Sequence, residues 1–498
     1  MNVNPITRLD YPDPDVIRVE DTYYMVSTTM HFMQGCEILQ SFDLVHWEHV
    51  TYVYETLDHT DAQQLKSGQN IYGQGMWAAS LRYHEGRFYI CFVANDTRKT
   101  YLYTSEKIDG PWKKQLIEGF YHDGSLLFDE DGRNYIVYGN DEIWITELNE
   151  DLTAPKKDGL HRLLVSDHKN PELGYEGSHI QKINGYYYIF LVHSLRDRWM
   201  RTEACFYSDS LEGEFTGGDV LCDDRGYCGQ GVAQGGIVDT PDGKWYAMLF
   251  QDSGAVGRIP ILLPVTWKDH FPVFGQNGHV PEEIEVHSTR PGYIYQPLVG
   301  SDDFCNGLLP RWQFNHDPDP RYYHLDALQG TYTITTREVC TELTQAVNTL
   351  TQRMSYPSCA AEVTVDASAL KEGDVAGLCA LQGCYAAVGI TKHHGKYEVL
   401  MLDKKEDGIL DMTEGTVVES HQMDFRLEAD FCNMKDEARC YYRVNKGDWL
   451  PIGTVHKLYF KLDHFTGCRF GLFCYAAEET GGSACFRDFK YYDVDEIS

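Results

Sequence analysis

The sequence predicts an all-β chain, with a five-bladed β-propeller over residues 1–295 and a β-sandwich over residues 296–498. Two observations predict the propeller. Short runs rich in Tyr, Phe, Ile and Val alternate with Gly, Asp and Asn turns, and helical periodicity is scarce. One pattern also recurs five times before the chain reaches Pro291-Gly-Tyr293, where it stops. The sandwich is predicted from the C-terminal stretch, about 200 residues of alternating apolar and polar positions with frequent turns.

Each repeat has a start residue, a short apolar run, a Gly/Asp turn and an aromatic strand. The first runs from Asp13 to Tyr24, the second from Trp77 to Tyr89 and the third from Asp123 to Tyr135. The fourth runs from Glu176 to Tyr187 and the fifth from Gln234 to Tyr246. Start residues recur every 46 to 64 positions, which fits one four-stranded blade each with loops of varying length. Ser41–Trp47 and Ser208–Phe215 are expected in outer strands and blade-to-blade turns. A plain sandwich built of hairpins lacks such a repeat.

Equivalent positions in a propeller ring the central channel. Asp13, Trp77, Asp123, Glu176 and Gln234 are therefore expected at one channel mouth. Carboxylates crowded in one cleft repel, so at least one should stay protonated near neutral pH. An acid beside a base is what cleavage of a glycosidic bond needs. Trp77 offers an apolar face to a sugar ring. Asp15, Asp129, Asp131 and Asp242 sit in turn contexts and are expected to be structural.

The formal charge of −32 argues against nucleic acid, anionic membrane surfaces and acidic polymers, and suits a neutral substrate. No apolar run approaches the ~20 residues of a membrane helix. The first residues have neither a basic start nor an apolar core, so a cytoplasmic location is expected. The 15 scattered cysteines, none spaced as CxxC, suggest free thiols in a reducing compartment.

Asn4-Pro5, Tyr11-Pro-Asp-Pro14, Met76-Trp-Ala78, Asp123-Gly-Ser125, Glu176-Gly-Ser-His179 and Thr240-Pro-Asp-Gly243 resemble the motifs of glycoside hydrolase family 43. That family contains β-xylosidases, α-L-arabinofuranosidases and arabinanases. The resemblance covers residues 1 to about 295 and implies an inverting mechanism. It implies that Asp13 is the general base, Glu176 the general acid, and Asp123 the residue that tunes the acid and orients the sugar. Arg258 resembles an arginine that binds sugar in exo-acting members. Met30, Phe32, His179 and Gln234 join Trp77 as candidate substrate contacts.

The chain departs from the family pattern twice. Gln234 stands where members often carry a His, which many arabinanases use around a channel calcium. Met30-His-Phe-Met-Gln-Gly35 stands where many β-xylosidases carry Phe-Glu-Trp-Phe-Pro-Gly.

The second domain resembles the concanavalin-like unit appended to many family members. Trp312-Gln-Phe-Asn-His-Asp317 has polar and aromatic groups able to close one side of the pocket, His316 above all. Asp302, Asp303 and Asp488 offer hard oxygen ligands for a structural Ca2+, although the chemistry itself calls for no cofactor. The expected activity is exo-acting release of a terminal pentose from neutral (arabino)xylan or arabinan oligosaccharides. It is foremost that of an α-L-arabinofuranosidase with β-xylosidase activity. An endo-arabinanase and a non-catalytic sugar-binding propeller are the alternatives.

Overall fold

The computed structural model describes residues 2–461 and 465–493. Five antiparallel four-stranded sheets succeed one another along the chain, as the repeat predicts. Their innermost strands are Asp15–Val19, Met76–His84, Ser125–Phe128, Glu176–Ile183 and Ala233–Asp239. Blades 2 and 4 close their first hairpins at Glu85-Gly86 and Asn184-Gly185, where both central residues have positive φ. Such turns match the twist of the strands they join.

The ring of blades is closed by polar contacts. Asn2–Val3 pairs with Glu283–Ile284, and the Asn4 side-chain amide donates to Leu262 O (2.7 Å) while accepting from Leu262 N (3.1 Å). Arg18 of blade 1 pairs with Asp239 of blade 5. Inside the channel Arg82 ties blades together, donating to Asp15 Oδ2 (2.8 Å), Ser125 Oγ (2.7 Å) and Leu126 O (2.9 Å). Asp15 is thus structural, but as a buried channel residue rather than a turn residue.

The sandwich consists of a seven-stranded and a nine-stranded sheet. It is not a separate bead. Phe32–Met33, from blade 1, is an edge strand of the larger sheet and pairs with Phe314–Asn315. Ala255, Val256 and Ile259 of blade 5 belong to the sandwich's own apolar core. The connecting segment is bolted to blade 1, with Thr289 N donating to Phe42 O (2.7 Å) and Gln296 N to Glu48 Oε2 (2.9 Å).

These shared elements predict the outcome of truncation. A fragment of residues 1–292 loses the partner strand of Phe32–Met33 and uncovers Val256 and Ile259. It should be insoluble, or fall at least about 100-fold in catalytic efficiency once its site is no longer held in place. A soluble, fully active fragment would show that the sandwich is detachable.

Candidate active site

Each inner strand enters the channel through a residue in the left-handed region: Asp13 (φ 52°), Ala78 (φ 32°), Asp123 (φ 47°), Gly177 (φ 68°) and Gln234 (φ 65°). The repeat is real, but its structural register is one residue off in blades 2 and 4. Trp77 and Glu176 precede the kinked residue, whereas Asp13, Asp123 and Gln234 are the kinked residue. Bulges lie at the kinks of blades 2, 4 and 5, between Trp77 and Ser80, Glu176 and His179, and Ala233 and Gly236. Gly177 is needed at its kink, because a Cβ there would sit 2.7 Å from Gln234 Cγ.

The acids converge at one mouth. Asp13 is buried and accepts at both oxygens, from Thr28 Oγ1 (2.5 Å) and from Arg258 Nη1 (2.7 Å). The Thr28 hydroxyl is itself fixed by Ala78 N (2.8 Å). Arg258 also reaches Asp252 Oδ1 (3.2 Å), and the other oxygen of Asp252 pairs with Arg201. Asp123 accepts from Gly177 N (3.0 Å), so the glycine after Glu176 positions the carboxylate of blade 3. Glu176 accepts from Asn140 Nδ2 (2.7 Å), and its side chain keeps 20% of its surface exposed.

Burial, then the charges of Glu176 and Asp13, push Asp123 up to about 6 against the pull of His122. Burial also raises Glu176, but His122, Arg201 and Arg258 outweigh it and hold this carboxyl below its ordinary value. Asp123 is therefore the carboxyl most easily protonated, but at about 6 it is largely ionised at neutral pH, and Glu176 is held ionised in the empty site.

The candidate binding residues separate into two groups. Arg258 touches Asp13, Trp77 lies 6.2 Å (ring centroids) from His122, and Gln234 packs on Gly177. The others stand behind the wall. Met30 bridges to Met76 through its backbone, and Phe32 lies under the Arg469 guanidinium (3.4 Å). His179 Nδ1 faces Asp15 (3.1 Å) down the channel. His316, expected to close the pocket, has no exposed surface, and its Nε2 accepts from Ile71 N (3.0 Å). It joins the domains instead.

The sandwich does reach the site, through a residue the sequence did not single out. Phe465 stands edge-on to Trp77 (5.2 Å) and covers the Arg258 guanidinium (4.1 Å). Thr28, His122, Asn140, Arg201 and Asp252 were also missed. A signal existed for three of them. His122 adjoins Asp123, while Asn140 and Asp252 end the second strands of their blades, which run back to the mouth where the first strands begin.

Asp302 Oδ2 accepts from Trp312 Nε1 (2.9 Å) and its Oδ1 from Phe304 N (2.8 Å), while Asp303 caps Cys305 N (2.9 Å). Asp302, Asp303 and Asp488 line one pocket, but their oxygens are not among the ligand atoms that converge among the described residues. Among the described residues the one convergent group of metal-type side chains is His122, Asp123 and Glu176.

Comparisons agree with this architecture. Residues 3–272 match the model of glycosyl hydrolases family 43, and residues 301–492 match the β-xylosidase C-terminal concanavalin A-like domain. The chain belongs to glycoside hydrolase family 43 and is a glycoside hydrolase. It is 26% identical to a β-xylosidase of Formosa agariphila over 99% of this chain and 89% of that one. It is 25% identical to a xylosidase/arabinosidase of Humicola insolens, over 98% and 96%. Among solved structures, a bifunctional GH43-CE protein of Bacteroides eggerthii superposes with a TM-score of 0.91 at 42% identity. That match covers 99% of this chain and 63% of the other.

Gly467 carries the Phe465 wall. Its N–H donates to Asp10 Oδ2 (2.8 Å), and a Cβ on it would meet Val256 O at 2.0 Å. Gly467→Ala should displace the wall and lower kcat/KM by about tenfold or more while the blades stay folded by circular dichroism. Unchanged kinetics would remove Phe465 from the site.

Proposed function

We propose that the chain is an exo-acting, inverting glycosidase that releases terminal pentose from neutral (arabino)xylan or arabinan oligosaccharides. Its main activity is that of an α-L-arabinofuranosidase, with β-xylosidase activity at the same site. The observation that carries this reading is Phe465 lying over Arg258 and Trp77 beside the catalytic acids. A wall at that place favours a pocket for one chain-end sugar over a groove for a polymer threading through.

In the proposed reaction a water on one face of the sugar attacks the anomeric carbon. Asp13, oriented by Thr28 and Arg258, takes the proton from that water. Glu176, steadied by Asn140, gives a proton to the leaving oxygen on the opposite face. Asp123 binds and orients the sugar between them. Two carboxyl groups acting on opposite faces invert the anomeric centre.

The released pentose should first appear with inverted configuration in early proton NMR spectra, and a retained anomer would sink the mechanism. Glu176→Ala should lose at least about 100-fold on natural linkages and far less on nitrophenyl pentosides, whose leaving groups need little protonation. Equal losses would count against Glu176 as the acid. Linear arabinan assayed beside the nitrophenyl pentosides tests the exo reading, which fails if internal cleavage dominates. Activity should also survive EDTA, because carboxylates alone carry the proposed steps; loss restored only by calcium would contradict this.

A further inference from the structure

His122 precedes Asp123 and plays no part in the mechanism above. Its Nε2 lies 3.5 Å from Glu176 Oε2 and 3.5 Å from Asp123 Oδ2. That nitrogen is buried and faces both carboxylates at ion-pair distance, with no closer partner. A small rotation brings it onto either carboxylate, and the ring is flanked by Trp77. A buried imidazole nitrogen left between two carboxylates is placed to pass a proton rather than to brace the fold.

We propose that His122 is the proton store of the general acid: its Nε2 holds the proton in the empty site and hands it to Glu176 Oε2 when a sugar binds. This rests on the glycosidase reading and deepens it. His122 acts through Glu176 and does not touch the reacting atoms.

The surrounding charges favour this arrangement. Asp123 on its own segment, Glu176 from blade 4 and Asp13 from blade 1 act on the imidazole, and blade 2 presents the uncharged Trp77. Burial alone lowers a histidine, but Asp123, then Glu176 and Asp13, outweigh it and raise His122 to about 9. On the far side of Glu176, Arg201 and Arg258 favour the carboxylate. The empty site therefore holds an imidazolium beside a carboxylate, and Glu176 is not yet an acid.

A sugar that displaces water from this mouth disfavours both charged partners. Transfer from Nε2 to Oε2 then leaves neutral imidazole and a carboxylic acid, and removes one buried ion pair. Glu176 next protonates the leaving oxygen as the anomeric C–O bond breaks. Water oxygen bonds to the anomeric carbon and its proton passes to Asp13. After release Asp13 returns a proton to solvent and His122 takes one up, so one water is consumed and the charges are restored.

The test uses the full chain and His122→Phe, which keeps a ring against Trp77, with His122→Gln as a second variant in case the first fails to fold. The pH profile of kcat/KM is measured on a pentose disaccharide and on a nitrophenyl pentoside. On the disaccharide the alkaline limb should move down by about one pH unit or more, so that at pH 8 the variant loses about tenfold more than at its optimum. The nitrophenyl substrate should show little of this shift. Nitrogen-15 NMR of labelled histidine, with the variant assigning the signal, should show His122 as a cation at pH 7.5.

An equal loss at every pH would make His122 a packing residue and overturn the proposal. A neutral His122 at pH 7.5 would overturn it even with activity intact. If the wild-type chain cleaved no pentoside, the glycosidase reading would fail instead, and the NMR result would still report where the proton resides.

Discussion

The carboxylate of Asp10 is the joint on which the site hangs. It is buried, and it accepts at one oxygen from Arg258 N (2.7 Å) and at the other from Gly467 N (2.8 Å). The first bond starts the strand whose arginine grips Asp13. The second anchors the sandwich loop whose Phe465 covers that same arginine. Its backbone carbonyl accepts from Arg353 Nε (2.9 Å), and Arg353 also pairs with Glu37 of blade 1 (2.8 Å). Asp13, its arginine and the Phe465 wall therefore share one short segment, Asp10–Asp13. Burial pushes Asp10 up to about 6 although both backbone donors pull the other way. A group so strained by desolvation persists because removing it would orphan two buried N–H groups at once.

Charge balance is the second constraint. Asp13, Asp123, Glu176 and Asp252 gather within one mouth, and Arg201, Arg258 and His122 face them. Four carboxylates against three cations leave one surplus negative charge, and burial makes that surplus costly. The cost falls chiefly on Asp123, which is raised to about 6 and whose Oδ2 is held by Gly177 N. Asp252 pairs with both arginines, and without it two buried guanidiniums would repel.

The sequence made the blades legible because each must begin with an apolar strand and a tight turn, and a fivefold repeat of that grammar is hard to mistake. Asp13, Asp123 and Glu176 were legible for the same reason, as polar residues recurring where an apolar repeat should not need them. The one-residue offset at Glu176 and Trp77 was invisible, because it depends on backbone kinks and bulges that any of several residues can adopt. Phe465 was out of reach for another reason. It lies some 450 positions from Asp13, and only the docking of the sandwich brings it near. His316 misled because a polar aromatic residue looks alike whether it lines a pocket or packs against His31 (4.9 Å) and edge-on to Tyr72 (4.6 Å) in a domain joint.

The same balance bears on what can enter. The mouth already carries one surplus negative charge, so an anionic sugar would add a second, and each cation described there is already paired. Arg258 is committed to Asp13 and Asp252, Arg201 to Asp252, and His122 to the acids. Entry of such a sugar would demand a further buried proton or leave an unpaired charge, at a cost of several kcal/mol by the desolvation argument. A neutral sugar changes no charge. It replaces water, raises the penalty on each remaining ion, and so strengthens every field the site already contains. The −32 of the whole chain repels anions at long range. The charge balance at the mouth opposes anions in the same sense at contact distance, where salt screens much less.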